Sequence, residues 1–129
     1  MKDQVGNMKL KKECIRDLML YFEKNLTYDR PISANKIALK KYSTEDIVYT
    51  CDKLQEAGFI NVTRWPVLDD GLPFINVNSI TYNGHQLLDN IRSPKIWKET
   101  KSKLKSIGSV SVEIIAQVAA SLIANKLGV

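Results

Sequence analysis

The stretch "YSTEDIVYTCDKLQEAGFI", residues 42–60, decides the fold. Ser43 suits a helix N-cap, and Asp46 three residues later nearly completes a capping box, in which two residues exchange hydrogen bonds. Gly58 is typical of a helix C-terminus, because glycine readily adopts the left-handed conformation that ends many helices. The apolar residues between these signals that recur at helical spacing are Ile47, Cys51 and Leu54. The stretch therefore predicts one amphipathic helix.

A β-hairpin is predicted directly after this helix. Two runs rich in β-branched and aromatic residues, "FINVTRWPVL" at 59–68 and "LPFINVNSI" at 72–80, are joined by "DDG", which is a hairpin signal. Upstream, apolar residues at helical spacing predict a helix over 9–25. Pro31 breaks this pattern, and a short helix is predicted over 33–39.

Three further helices are predicted downstream of the hairpin. Thr81 suits the N-cap of a helix that ends near Arg92, and Ser93 and Pro94 begin another that ends near residue 106. Gly108 interrupts the pattern, and an apolar helix runs over 107–127. In the first of these helices, Gly84 is expected to permit a close approach to the hairpin.

This order of elements is that of a winged helix-turn-helix domain. The predicted class is α+β, mainly α, with a two-stranded hairpin as the wing and two C-terminal helices. Residues 1–7 are predicted to form a disordered extension, 8–92 the winged-helix domain, and 93–129 a basic helix followed by an apolar one. An unrelated small α+β domain is the alternative.

The composition predicts a soluble globular protein. The 129 residues are 44% hydrophobic and 26% charged, which is ordinary for a folded domain. The chain does not open with the basic and apolar regions of a secretory signal. Cys14 and Cys51 lie in helical apolar stripes, which predicts buried free thiols and a cytoplasmic location.

The net charge of +5 comes from one short segment. Residues 1–91 contain twelve cationic and twelve acidic side chains, and residues 106–129 contain one of each. The segment "RSPKIWKETKSKLK", residues 92–105, has six cations and one acid. The basic isoelectric point therefore describes this segment and does not by itself predict nucleic-acid binding.

The histidine of the chain, His85, is the first candidate for chemistry. Asp89 and Arg92 follow it at helical spacing on one flank, so a His–Asp pair could act as a general base. No nucleophile, phosphate-binding glycine loop or metal-ligand pattern accompanies it. The sequence therefore predicts no enzyme, no metal and no cofactor. His85, Asp89 and Arg92, with Trp97 folded back against them, are expected to fix the C-terminal helices on the core; a partner-binding surface is the alternative.

The sequence contains features for and against nucleic-acid binding. The helix 43–57, which would enter the major groove, contains four acidic residues against Lys53, the wrong sign for contact with phosphates. Cations elsewhere can contact phosphates; they are Lys36, Lys40, Lys41, Arg64, Lys95, Lys98, Lys101 and Lys105. The last four fall along the basic helix, and a plain solvated face is the alternative explanation for them.

The terminal helix is expected to pack on protein rather than in a membrane. Its uncharged run after Glu113 is 12 residues long, whereas a spanning helix needs about 18 or more. Its apolar face is expected to pack on the core or on a second copy of the chain. The residues predicted for a homodimer contact are Val110, Ile114, Val118 and Leu122.

From Met8 onward the chain resembles an uncharacterised bacterial and prophage family known only as domain of unknown function twenty-five-thirteen. The resemblance rests on "CIRDLMLYFE" at 14–23, "YSTEDIVYTCDKLQEAGFI" at 42–60, "ITYNGHQLLDNIRSPKIW" at 80–97 and "IGSVSVEIIAQVA" at 107–119. It implies a winged-helix-like domain in a phage or mobile-element setting, and it brings no activity.

The sequence thus predicts a non-enzymatic module for interaction with an unknown protein or for self-association. A DNA-binding transcriptional regulator of a phage or mobile element is the alternative.

Overall fold

Helix α2 (Thr44–Glu56) begins and ends at the two capping signals that predicted it. The Ser43 hydroxyl accepts from the Asp46 amide, and the Asp46 carboxylate accepts from the Ser43 amide, so the capping box is confirmed. At the other end, Gly58 adopts a φ of 84°. The amides of Gly58 and Phe59 donate to the carbonyls of Gln55 and Leu54, which is the Schellman arrangement.

The computed structural model describes residues 8–67, 71–107 and 110–128. Its other helices are α1 (Lys12–Asn25), α3 (Tyr82–Ile91), α4 (Pro94–Leu104) and α5 (Val112–Leu127). The strands are β1 (Ile32–Ser33), β2 (Ile60–Trp65) and β3 (Phe74–Ile80), and a 3₁₀ turn covers Ala34–Lys36. The fold is α+β and mainly helical. The predicted extension 1–7, the Asp69–Asp70 part of the hairpin turn and the interruption at Gly108 lie outside the described residues.

The sheet has three antiparallel strands in the order β1-β3-β2, where the sequence predicted two. The helix predicted over 33–39 is wrong: the chain forms the third strand and then the 3₁₀ turn. Asn35 explains this, because its side chain donates to the Pro73 carbonyl at 3.0 Å and accepts from the Ile75 amide at 3.0 Å. Pairing with β3 outweighs the weak local preference of so short a helix.

One buried cluster joins the N-terminal and C-terminal segments. Helix α1 contributes an entire face to it, and α4 and α5 contribute Leu104, Ile115 and Ala119. Helix α5 packs on α3 and α4. It begins at Val112 rather than Ile107, because Ser111 caps it by accepting from the Ile114 amide. The buried cluster therefore extends across residue 92.

Candidate functional site

Arg92 links α3 to α1. Its guanidinium donates to both carboxylate oxygens of Glu23, at 3.1 and 2.6 Å, and to Asp89 at 3.0 Å. The hydrogen bonds from Arg92 lower the pKa of Glu23, and the same bonds raise the pKa of Arg92. The predicted Asp89–Arg92 contact is present, and its stronger partner is Glu23, which the sequence did not indicate.

Within the described residues, neither His85 nor Trp97 forms a hydrogen bond with Arg92, Glu23 or Asp89. The His85 side chain is exposed, and its ring makes no hydrogen bond within the described residues. Trp97 is only 4% exposed, and its indole nitrogen donates to Glu13 at 3.1 Å. Lys101 also donates to Glu13. Trp97 therefore anchors α4 on α1 rather than covering the flank of α3.

The distinctive glycine of this segment has the packing role that was predicted. A Cβ atom at Gly84 would lie 2.0 Å from the carbonyl oxygen of Phe59 and 2.8 Å from the side chain of Ile80. Helix α3 therefore approaches the start of the hairpin too closely for any side chain at this position. The hydroxyl of its N-cap, Thr81, also donates to the Gly58 carbonyl at 2.7 Å, which joins the start of α3 to the end of α2.

Two polar side chains around His85 are engaged in other contacts, and both cysteines are buried. His85 borders a groove with Glu23 and Ser79, but Glu23 holds Arg92 and the Ser79 hydroxyl accepts from Asn61. Both cysteines are buried and free. Burial raises the pKa of Cys14 to about 11 and also raises the pKa of Cys51, so both remain protonated near neutral pH. Across the described ranges, no group of three or more His, Cys, Asp or Glu could hold a metal ion.

Ion pairs within the chain neutralise most of the acidic charge of α2. Asp52 accepts two hydrogen bonds from Arg64, at 2.9 and 3.1 Å. Burial opposes the charge on Asp52, but the hydrogen bonds from Arg64 and Gln55 together outweigh it and lower its pKa. Asp46 pairs with Lys11 at 2.9 Å, and Glu56 with Lys53 at 2.9 Å. Arg64 is thus occupied on the hairpin and is not free for the phosphate contact that was predicted.

The other predicted phosphate contacts fall into two groups. Lys36, Lys40 and Lys41 are exposed beside the 3₁₀ turn, and Lys41 lies 3.6 Å from Asp17. The second group lies along α4: Lys95 is exposed near its start, and Lys98, Lys101 and Lys105 face the first turn of α1. A shallow groove is lined there by Lys12, Lys98, Lys101, Ser102, Lys105 and Ile107, and we call it the cationic groove.

The cationic groove retains positive charge after the internal ion pairs are formed. Lys101 is paired with Glu13, and Glu99 on the neighbouring face of α4 is paired with Lys126 at 3.5 Å. Within the part of the chain that the structure describes, Lys12, Lys98 and Lys105 form no ion pair. The sequence indicated the α4 lysines by their spacing, but it could not show that Lys12 lies beside them.

The residues predicted for a homodimer contact do not share one exposed face. Val110 is only 9% exposed and belongs to the core, and Val118 packs against the same core. Leu122 is half-buried, whereas Ile114 is 38% exposed. None of the helices in the described residues is both long enough and apolar enough to span a bilayer.

These features define a small, mainly helical α+β protein with a three-stranded antiparallel sheet and a cationic groove along α4. The chain belongs to the family described as "Hypothetical protein (DUF2513)", which matches residues 9–111, as the resemblance predicted. An "Uncharacterized protein" of Haemophilus influenzae (strain ATCC 51907 / DSM 11121 / KW20 / Rd) is 31% identical over 87 residues, 67% of this chain and 72% of that protein. No solved structure matches the chain significantly. Neither description names an activity.

Proposed function

We propose that this protein is a non-enzymatic binding module on a winged-helix scaffold, and that it contacts an anionic macromolecule through the cationic groove. The order α1, β1, 3₁₀ turn, α2, β2, β3 and the sheet order β1-β3-β2 support the scaffold, with the turn in the place of the second helix. The phage or prophage setting and the cytoplasmic location stay predictions from the sequence.

The state of the reactive side chains supports a role without catalysis. A nucleophilic cysteine needs a low pKa and an accessible thiol, whereas Cys14 and Cys51 are buried and their pKa values are raised. A general base needs an aligned partner. The His85 ring has no hydrogen bond among the residues described, and its neighbour Glu23 is held by Arg92.

The observation that carries the proposal is the separation of paired and unpaired charge. On α2, the carboxylates of Asp46, Asp52 and Glu56 are matched by cations of the chain itself. At the cationic groove, Lys98 and Lys105 are exposed, and neither forms an ion pair with a described residue. Positive charge is therefore retained along α4, as it also is at Lys36 and Lys40 beside the 3₁₀ turn, whereas α2 is not the surface that attracts an anion.

Retention on a heparin column tests this surface. The double variant Lys98→Gln/Lys105→Gln removes two charges, and glutamine has nearly the helix propensity of lysine, so α4 should be retained. The matched control Lys36→Gln/Lys40→Gln makes the same charge change beside the 3₁₀ turn. We expect the groove variant to elute at clearly lower salt than wild type, and the control to elute near wild type. Equal shifts for both variants would show that net charge alone drives retention and would contradict the proposal.

Self-association through α5 is a second candidate, favoured by the exposed apolar side chains of Ile114 and Leu127. Because Val110 and Val118 pack on the chain's own core, this contact would be smaller than the sequence predicted. Light scattering of wild type and of Ile114→Glu tests it. A dimer that the substitution dissociates supports this candidate, and a monomeric wild type excludes it.

A further inference from the structure

We propose that the partner of the cationic groove is the phosphate backbone of a nucleic-acid duplex, bound without preference for base sequence. This inference rests on the proposed function, because it names the chemistry of the partner at the same surface. It also replaces α2 by α4 as the element that contacts nucleic acid.

The unpaired lysines form a row that suits a chain of repeated negative charges. Lys98 and Lys105 are seven residues apart, which is about 10 Å along the helix axis, and Lys12 faces them across the groove. A single small anion cannot contact both ends of such a row. A polymer with regularly spaced phosphates can neutralise all three cations and release the counterions of its own backbone.

The cations of the groove are compatible with phosphate. Lysine acts as a flexible point charge that contacts phosphate oxygens without a fixed geometry. Every cation that lines the groove is lysine, and Ser102 adds a hydroxyl of the kind that donates to phosphate oxygens. The arginines nearest in sequence and structure are already occupied, since Arg92 holds Glu23 and Arg16 donates to the Ile91 carbonyl.

The same lining argues against reading of bases. Base edges are read most often by arginine, lysine, asparagine or glutamine side chains. Of these four types the groove lining has lysine alone, which acts as a point charge and lacks the planar fork that fixes a bidentate contact. Single strands are bound largely by stacking of bases on exposed aromatic rings. Trp97, the aromatic residue of α4, is buried and faces α1. The lining therefore fits the backbone of a duplex and offers little to unpaired bases.

The groove also carries an electrostatic cost that an anion would relieve. The ammonium groups at positions 98, 101 and 105 follow at helical steps of three and four residues, where like charges repel each other. Only Lys101 is compensated within the described chain, by Glu13. A duplex bound in the groove would supply the missing negative charge and stabilise the protein by binding the folded state.

Fluorescence anisotropy with two short DNA duplexes of unrelated sequence tests the proposal over a series of salt concentrations. For wild type we expect similar affinities for both duplexes and a log–log salt dependence with a slope of roughly −3, from about three phosphate contacts. Lys98→Gln/Lys105→Gln should reduce the magnitude of this slope by about two and weaken binding roughly tenfold or more at low salt. Lys36→Gln/Lys40→Gln should leave the slope close to that of wild type.

Each other result overturns the inference in a recognisable way. A strong preference for one duplex would indicate base readout, and a larger loss in the control variant would locate binding beside the 3₁₀ turn. Suppose that the protein binds polyglutamate but not DNA, and that the groove variant binds polyglutamate more weakly. This result would reject a nucleic-acid partner and would still support the proposed function. If the groove substitutions weaken binding to none of heparin, polyglutamate and DNA, both the nucleic-acid inference and the proposed function are rejected.

Discussion

At the scale of single residues, Gly84 shows how one atom sets the position of a helix. Glycine inside a helix normally costs up to about 1 kcal/mol relative to alanine, because it loses more backbone freedom on folding. At this position that cost is offset by the contact it permits, since a Cβ atom would lie 2.0 Å from a backbone oxygen of Phe59. A backbone atom cannot rotate away as a flexible side chain can.

The change Gly84→Ala should therefore destabilise the protein despite the better helix propensity of alanine. Forcing extra volume into a packed contact costs about 1–3 kcal/mol, and we expect a melting temperature lower by roughly 4–8 °C or more. Thermal unfolding followed by circular dichroism measures this. Asn83→Ala, on the exposed side of the same helix, is the control and should change the melting temperature little. A Gly84→Ala protein as stable as wild type would disprove the close approach.

The need for glycine at position 84 was predictable from its place after the hairpin, whereas the role of His85 was not. The close contact at Gly84 involves only α3 and the hairpin, and the hairpin directly precedes α3 in the sequence. The role of His85 depended on which side chains reach it from distant parts of the chain. Glu23, which takes the central place beside Arg92, lies 69 residues away, and no local pattern connects the two.

At the scale of elements, the polar flank of α1 holds three other helices. Lys11 at its start pairs with Asp46 of α2, and Glu13 accepts from Trp97 and Lys101 of α4. Arg16 donates to the Ile91 and Arg92 carbonyls at 2.8 and 2.7 Å, which satisfies the C-terminus of α3. Helix α1 is thus the element against which the others are aligned, by its apolar face and by its polar flank together.

The Arg92–Glu23 pair gives a prediction at this scale that replaces the one from sequence. If His85 helped to fix the C-terminal helices on the core, as the sequence predicted, then His85→Ala would lower thermal stability. Because the His85 ring is exposed and makes no hydrogen bond within the described chain, we expect His85→Ala to change the free energy of unfolding by no more than about 0.5 kcal/mol. Arg92→Gln and Glu23→Gln should each destabilise, with a coupling of about 0.2–1 kcal/mol in a double-mutant cycle, because both side chains are partly exposed.

Denaturant unfolding of the four proteins of this cycle measures the coupling. His85→Ala combined with Asp89→Ala provides the parallel cycle for the pair that the sequence favoured. Coupling in the second cycle that equals or exceeds the first would reinstate the His85–Asp89 contact and count against the arrangement described for Arg92.

Local signals explain which elements were predictable. Helix α2 was bounded correctly because its capping box and its glycine act through hydrogen bonds within a few residues. Strand β1 was missed because two residues carry no periodicity, and their structure comes from pairing with β3 more than forty residues later. The C-terminal α5 was predicted with its apolar face, but its start was placed too early, since the apolar run extends before the cap at Ser111.

At the scale of the whole molecule, charge determines both the proposed binding surface and the response to acid. Four of the carboxylates that hold elements together, Glu13, Glu23, Asp46 and Asp52, have a pKa below the ordinary value of 4.5 for Glu or 3.8 for Asp. For Glu13, Asp46 and Asp52 burial acts against the charge, and hydrogen bonds from the partners outweigh it. For Glu23 the hydrogen bonds from Arg92 dominate.

These shifts predict the direction in which stability changes with pH. A carboxyl group whose pKa is lower in the folded state binds fewer protons there than in the unfolded chain at acidic pH. Its contribution is therefore fully present above the ordinary value of 3.8 to 4.5, and it is lost as the pH falls through the folded-state pKa. We expect a melting temperature that is nearly constant above about pH 5 and that declines steadily below about pH 4.5.

Asp52→Asn tests an ion pair between α2 and the hairpin, because it removes a carboxylate that accepts two hydrogen bonds from Arg64. At neutral pH the variant should be less stable by about 0.5–1 kcal/mol, the range of well-formed surface pairs. Toward low pH the difference from wild type should shrink, because wild type loses the same interaction on protonation. Glu45→Gln is the control, because it removes a carboxylate without an ion pair to any described residue. Its difference in stability from wild type should stay constant as the pH falls. A constant offset between Asp52→Asn and wild type over the whole pH range would show that the Asp52 charge does not contribute to folding.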